Sequence, residues 1–302
     1  MSEHITHVAI FEDGYRLMQL NQAQFPEAFG RSLEKHYDHG IVCCGTRGNH
    51  TYAVPIVEKY RGRAPDDYAE AELQQLAGAL GWLSHRAADS VLNPLADQVD
   101  ERQNPMFNGQ DLKRYYEVVV MKEVYDSGKR TTASPYEVLS PATLAEGMHP
   151  NPAAQAVNIR PFETLFTNYY LREFLGLMHF TESDAPDDLD AYLTDLVKHA
   201  QYFQEDLSLY TAAYENPDPM KMQEFVYHLN FYNRQDPLIR LLERLRNGES
   251  ATPADFDRAM QSSDEPCKYA QAVKLNYSFW QSLAAFYRGE IERPLLQEQL
   301  LM

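Results

Sequence analysis

The sequence predicts an all-α protein, and three observations carry that prediction. Apolar residues recur at helical spacing over most of the 302 residues. Alternating patterns typical of β-strands are scarce, and the one β-branched run, residues 118–120, lies inside a segment with helical periodicity. An apolar content of 44% in a chain of this length provides for a substantial core.

In the first part of the chain, the apolar periodicity predicts helices from Glu3 to about Gln19, from Pro26 towards Cys43, from Asp67 to about Val91 and over residues 111–124. Residues 45–50 are predicted to form a loop because of their glycines, and residues 52–55 continue it. Pro94 is expected to stop the third helix, because proline lacks an N–H group and clashes with the preceding turn.

Residues 141–158 contain three prolines and are the best candidate for a linker. Beyond them, the periodicity predicts helices near 161–178, 188–213, 219–247, 253–261 and 265–288. We therefore predict a helical domain over residues 1–140. A C-terminal helical region over residues 159–302 either forms a separate unit or packs into the same domain.

The net charge is −17, with histidine counted as neutral. Such a surface repels phosphate backbones and anionic lipid, so we expect neither nucleic-acid binding nor general membrane-surface binding. A phosphoester bound through a metal ion is still allowed, because the ion supplies the positive charge. The amino-terminal residues lack the basic and apolar regions of a signal peptide, and no window approaches 18 apolar residues. We therefore expect a cytoplasmic protein without a transmembrane segment.

The segment Gly81–Pro94, GWLSHRAADSVLNP, is the most informative part of the sequence. His85 and Asp89 are four residues apart and Asn93 follows after four more, so a helix places all three side chains on one face. An imidazole nitrogen and a carboxylate oxygen at this spacing can bind one divalent ion, and Zn²⁺ accepts both donor types. The alternative is a solvated or hydrogen-bonded His–Asp pair without a metal, which is the more common meaning of this spacing.

Three further features lie on either side of that segment: Thr6-His7, the glycine-containing stretch from Gly45 to His50, and Lys113-Arg-Tyr-Tyr-Glu117. Together with GWLSHRAADSVLNP they resemble the zinc-dependent phospholipase C family, whose fold is a helical bundle related to the single-strand-specific zinc nucleases. The resemblance covers about residues 5–125 and is strongest over residues 81–94. It implies a multi-helix bundle of that type, with additional C-terminal helices in this chain.

The resemblance also implies a metal centre for one to three Zn²⁺ ions. Its candidate ligands in this sequence are His7, His50, His85, Asp89, Asn93 and Glu117. Asn93 and Lys113 both stand where the family has histidine, which weakens the site because an amide is a poor ligand and an ammonium group repels the ion. As catalytic residues, we expect Asp89 or Glu117 to accept a proton from the attacking water and Lys113 to hold a phosphate oxygen.

Two functions are open on the sequence alone. A loaded centre indicates a metal-dependent hydrolase acting on a small phosphoester or a phospholipid head group. The alternative is a non-catalytic helical scaffold or interaction protein with a degenerate metal site, in which Lys113 and Glu117 are only an exposed ion pair. For His36 and His39, which are three residues apart, we favour a solvated helix face over chelation.

Overall fold

The computed structural model describes residues 4–46, 50–102, 104, 106–125, 213–214, 216–261 and 266–301. These residues form helices and connecting turns without any strand, which confirms the all-α prediction for this part of the chain. The α-helices are α1 (His4–Leu20), α2 (Glu27–Lys35), α3 (Tyr37–Thr46), α4 (His50–Tyr60), α5 (Glu70–Glu101), α6 (Gly109–Glu123), α7 (Pro237–Arg246), α8 (Pro253–Gln261), α9 (Lys268–Arg288) and α10 (Arg293–Leu301).

Helix α5, 32 residues long, is the centre of the fold. Its middle turns, residues 75–85, are buried all round, as expected for a helix that is apolar or small on every side. Helices α3, α4 and α9 pack along it, and α1, α2 and α6 also contact it. Gly81 allows the closest of these approaches, because a Cβ atom at this position would lie 2.1 Å from the carbonyl oxygen of Gly40 in α3.

A buried ion pair joins α1 to α7 and α9. The Arg246 guanidinium donates from Nε to Asp13 Oδ1 at 3.0 Å and from Nη2 to Asp13 Oδ2. The Tyr269 hydroxyl donates to Asp13 Oδ2 at 2.7 Å, and the Tyr232 hydroxyl accepts a hydrogen bond from Arg246 at 3.0 Å. A buried charge pair needs such additional hydrogen bonds to offset its lost hydration. Through this pair, helices on both sides of residues 126–212 share one core.

Helix α5 does not end at Pro94 as predicted, because it continues to Glu101. Pro94 lies on the exposed side of the helix, while Leu92, Leu95 and Val99 remain buried on the other side. Packing of these apolar side chains carries the helix past the missing hydrogen-bond donor.

The loop predicted over residues 45–50 and 52–55 is wrong where the structure describes it, because α3 runs to Thr46 and α4 begins at His50 and includes Pro55. Residues 47–49 lie outside the described residues. Val54, Val57 and Tyr60 form a buried face that fixes this segment as a helix. The predicted helix from Pro26 towards Cys43 is broken at His36 into α2 and α3.

In the C-terminal part, the predicted helix over residues 219–247 is two elements. One α-helical turn, Pro219–Lys221, continues as a π-helix over Met222–His228, and α7 begins after the N-cap residue Asp236. The candidate linker 141–158, the helix predicted over 161–178 and all but the last residue of the helix predicted over 188–213 lie outside the described residues. No helix in the described ranges has the length and apolar character needed to span a membrane.

Candidate metal centre

Three side chains from two helices meet at one point of the bundle. His7 comes from the first turns of α1, whereas His85 and Asp89 are one turn apart on α5. Asp89 Oδ1 lies 3.2 Å from His7 Nε2, and Asp89 Oδ2 lies 3.1 Å from His85 Nε2. One ligand atom from each residue lies within 4.8 Å of the other two. The structure therefore brings together three of the ligands named from the sequence.

The two imidazole rings are buried, but the carboxylate reaches the surface. The side chains of His7 and His85 are 4% and 7% exposed, whereas that of Asp89 is 34% exposed. The ring centroids of His7 and His85 are 4.1 Å apart. The cluster therefore opens to solvent on the Asp89 side, from which an ion or a small ligand can enter.

The histidines also set the charge of Asp89. Burial disfavours the charged carboxylate, but its hydrogen bonds and electrostatic contacts with His7 and His85 outweigh burial and hold the pKa of Asp89 well below its usual range. Asp89 is therefore ionised at neutral pH. An ionised carboxylate is the form that binds a metal ion.

The backbone of α3 fixes the protonation pattern of His85. The Nδ1 atom of this ring lies 2.6 Å from the carbonyl oxygen of Cys44. A carbonyl oxygen can only accept a hydrogen bond, so Nδ1 carries the hydrogen. In the neutral ring, Nε2 is then a bare lone pair that faces a carboxylate oxygen at 3.1 Å. Two such acceptors repel each other unless a proton or a metal ion stands between them.

Asn93 and Lys113, the two residues expected to weaken the metal centre, contact each other. Lys113 Nζ donates to Asn93 Oδ1 at 3.2 Å. Asn93 lies one turn after Asp89 on α5, while Lys113 lies on α6. The structure thus places the Lys113 ammonium against a residue that lies one turn along α5 from Asp89.

Glu117 accepts hydrogen bonds from the backbone of α1. Its Oε2 accepts a hydrogen bond from the amide of Ile5 at 2.7 Å, and its Oε1 accepts one from the amide of Thr6 at 2.8 Å. The side chain is fully buried. Burial raises the pKa of Glu117 to about 7, although the hydrogen bonds from Thr6 and Ile5 act to lower it. Glu117 is not part of the group formed by His7, His85 and Asp89.

These contacts connect α5, α6 and α1 one after another and lead back to the His7–Asp89 contact. Along α5, the face runs from Asp89 to Asn93. The Asn93–Lys113 contact leads to α6, and one turn along α6 leads to Glu117, which binds the start of α1 just before His7. This series of contacts includes every site residue named from the sequence except His50. His50 is the first residue of α4, and its side chain lies outside the described part of the structure.

Sequence patterns could not reveal the backbone groups of this site. The Cys44 carbonyl and the amides of Ile5 and Thr6 leave no trace in residue type. The exposed ion pair considered for Lys113 and Glu117 does not match the structure, because Glu117 is buried against α1.

The solvated helix face favoured for His36 and His39 is wrong, because both side chains are buried where α2 and α3 meet the start of α5. His36 Nε2 lies 3.0 Å from Glu70 Oε1, and the two rings contact each other edge to face.

The donor set fits a zinc ion. One ligand atom from each of the three residues lies within 4.8 Å of the other two, and imidazole nitrogen and carboxylate oxygen are both donors that zinc accepts. The His–Asp distances of 3.2 and 3.1 Å, each to a different carboxylate oxygen, are also those of direct hydrogen bonds. A metal-binding histidine typically donates its other ring N–H to a carbonyl or carboxylate oxygen, as His85 does to Cys44.

No family model matches the chain, and no curated protein or solved structure matches it.

Proposed function

We propose that this protein is a metal-dependent phosphoester hydrolase of the zinc-dependent phospholipase C type. Its metal ligands are His7, His85 and Asp89. The observation that carries the proposal is that His7 Nε2 and His85 Nε2 meet the two oxygens of the Asp89 carboxylate at 3.2 and 3.1 Å, while His85 Nδ1 faces the Cys44 carbonyl. A cation resolves this arrangement, and the site opens to solvent beside it.

The proposed centre holds one Zn²⁺ ion. Both Glu117 oxygens accept hydrogen bonds from amides of α1, and Lys113 donates a hydrogen bond to Asn93. These residues therefore do not offer a second set of ligands. When bound, the ion supplies the Lewis acidity that activates water and polarises a phosphoryl oxygen. Glu117 is buried against α1, and Asp89 is a proposed ligand whose pKa lies well below its usual range, so we assign Asp89 to holding the ion and assign neither carboxylate as the acceptor of the water's proton.

The substrate we propose is a small phosphoester or a phospholipid head group. The Lys113 ammonium contacts Asn93, one turn along α5 from Asp89, and we propose that it holds a second phosphoryl oxygen as a point charge. The net charge of −17 disfavours long polyanions, whose many phosphates would meet a negative surface. A single phosphate group that enters beside Asp89 avoids that repulsion.

Metal content tests the centre directly. We expect protein purified without chelator and dialysed against zinc to retain about one Zn²⁺ per chain, a stoichiometry set by three protein ligands and one open position. The variants His85→Ala and Asp89→Asn should lose the ion. His228→Ala is the matched control, because His228 also pairs with a carboxylate four residues away, Glu224, but is exposed on the surface. Equal metal loss in the control would contradict the assigned site.

Hydrolysis of chromogenic phosphate monoesters and diesters tests the activity. We expect turnover by the zinc-loaded protein, loss of turnover with a chelator and recovery when zinc is added back. A zinc-loaded protein that hydrolyses none of the panel, including phosphocholine esters, would contradict the hydrolase proposal.

The second candidate is a helical scaffold without catalysis, and the same His–Asp–His contacts favour it in one respect. If both rings are protonated at Nε2, they satisfy the carboxylate without any metal. Wild-type protein that binds no zinc, and whose melting temperature zinc leaves unchanged, would establish the scaffold function over the hydrolase.

A further inference from the structure

We propose that Glu117 is a positioning residue for the metal centre: it holds the first turn of α1 so that the His7 imidazole meets Asp89 and His85. This inference rests on the function proposed above. It gives Glu117 a role different from the metal ligand or proton acceptor expected from its place in the sequence.

The contacts of Glu117 are those of a helix cap supplied from elsewhere in the fold. The first N–H groups of an α-helix have no partner within the helix. In α1, two of them, at Ile5 and Thr6, donate to the two oxygens of one carboxylate on α6 at 2.7 and 2.8 Å. A negative charge at this end of a helix is also favoured by the helix dipole. Both oxygens are therefore occupied in a way that fixes the path and rotation of the first turn.

His7 follows Thr6 directly, so the same turn decides where its ring points. Helix ends fray more readily than helix centres, and His7 is only the fourth residue of α1. The other two ligands are held differently, because His85 and Asp89 lie deep in α5 and His85 is anchored by the Cys44 carbonyl. Of the three ligands, His7 is the one whose position depends on Glu117.

A double-mutant cycle on zinc affinity separates positioning from general stability. We expect Glu117→Gln, which keeps the volume but replaces one acceptor oxygen with a donor, to weaken zinc binding by about tenfold to a hundredfold, the range for outer groups that orient a ligand. In a His7→Ala background the same substitution should change the affinity by less than about twofold, because its target ligand is gone.

Asp236→Asn is the matched control. Asp236 is a buried carboxylate that also accepts two backbone amides, from Leu238 at 2.9 Å and Cys267 at 3.0 Å, at the start of α7. We expect this variant to lower the free energy of unfolding without changing zinc affinity. If it weakens zinc binding as much as Glu117→Gln does, the effect is general destabilisation and the inference is overturned.

Hydrogen exchange gives a readout that needs no metal. In the metal-free protein, Glu117→Gln should increase amide exchange at Ile5 and Thr6, while the amides in the centre of α5 keep their protection. Unchanged exchange at these two amides would overturn the inference. A Glu117 effect on zinc affinity of equal size in the His7→Ala background would also overturn it, while leaving the metal centre in place. Failure of the wild type to bind zinc would overturn the proposed function and this inference together.

Discussion

At the scale of single residues, the position of Asn93 could be predicted from the sequence, whereas its contact with Lys113 could not. The i, i+4 spacing predicted that His85, Asp89 and Asn93 share a helix face, and the structure places them so. Nothing in the spacing predicted that Lys113, 20 positions further on, would contact Asn93. Likewise, a Glu at position 117 can bind either an ion or backbone amides, and only the path of α1 decides between them.

Replacing Lys113 tests whether its ammonium acts on substrate. We expect Lys113→Gln, which can still donate to Asn93 but lacks the charge, to lower phosphoester turnover by about a hundredfold, as removal of a charge-stabilising donor does. Lys122→Gln is the control, since Lys122 lies further along α6, with its ammonium over the Tyr214 ring. Zinc content should stay unchanged in both variants. Turnover of Lys113→Gln near that of the wild type would leave Lys113 with a structural role only.

The pKa of Glu117 predicts a pH dependence of stability. Burial raises this pKa from 4.5 to about 7 in the folded protein, so the folded state binds the proton more tightly than the unfolded chain does. The stabilising contribution is therefore complete below about pH 4.5 and is lost as the pH rises through about 7. Each unit of difference in pKa corresponds to about 1.4 kcal/mol.

Urea unfolding of the wild type and of Glu117→Gln, both with chelator and between pH 4.5 and 8, measures this contribution. The wild type should lose stability relative to the variant as the pH rises, because the amide does not titrate. A difference between the two proteins that stays constant over this range would contradict the predicted titration.

At the scale of the elements, the presence of a helix was more predictable than the residues at which it begins and ends. The apolar repeat located α5, but Pro94 suggested an end that packing of Leu95 and Val99 overrides. The glycines suggested a loop from residue 45 onwards, yet Gly45 lies in α3 and α4 begins at His50, because Val54 and Val57 pack inwards. Local residue preferences are weak next to burial of an apolar face, and burial depends on partners that are distant in sequence.

The close contact between α3 and α5 gives a prediction at this scale. In Gly81→Ala the new methyl group would lie 2.1 Å from the Gly40 carbonyl oxygen, so the two helices must move apart. We expect a loss of about 1–3 kcal/mol in the free energy of unfolding, as for other overpacked sites. We also expect weaker zinc binding, since the Cys44 carbonyl lies on the displaced helix.

Gly30→Ala is the control for that substitution. Gly30 lies within α2, and nothing lies within 4 Å of a Cβ atom placed there. Alanine should therefore stabilise the protein by about 0.5–1 kcal/mol through helix propensity. If Gly81→Ala proves as harmless as Gly30→Ala in chemical unfolding, the helices are not in the close contact described here.

At the scale of the whole molecule, the Asp13–Arg246 pair connects parts of the chain that the sequence suggested might be separate. The partners are 233 positions apart, so neither periodicity nor spacing could match them. The division proposed between residues 140 and 159 falls outside the described residues. The described helices on either side of it nevertheless pack into one core, with α9 against both α1 and α5.

This connection predicts one cooperative unfolding transition that depends on the buried pair. Arg246→Met leaves Asp13 charged and buried without its main partner, which should cost about 3–5 kcal/mol. Arg258→Met, which removes an exposed arginine near Asp255, should cost less than about 1 kcal/mol. Urea unfolding followed by helical circular dichroism and by the fluorescence of Trp82 in α5 and Trp280 in α9 checks both expectations. Two separated transitions in the wild type would contradict the shared core.

The hydrogen bond from His85 to the Cys44 carbonyl has a consequence for how this site changes during evolution. The acceptor is a main-chain atom, so no replacement of the side chain at position 44 removes it while α3 keeps its path. The ring of His85 therefore keeps the same nitrogen turned towards Asp89 as long as the bundle folds, whichever side chains surround it. The orientation of this histidine is thus inherited with the backbone and not with any one neighbouring side chain.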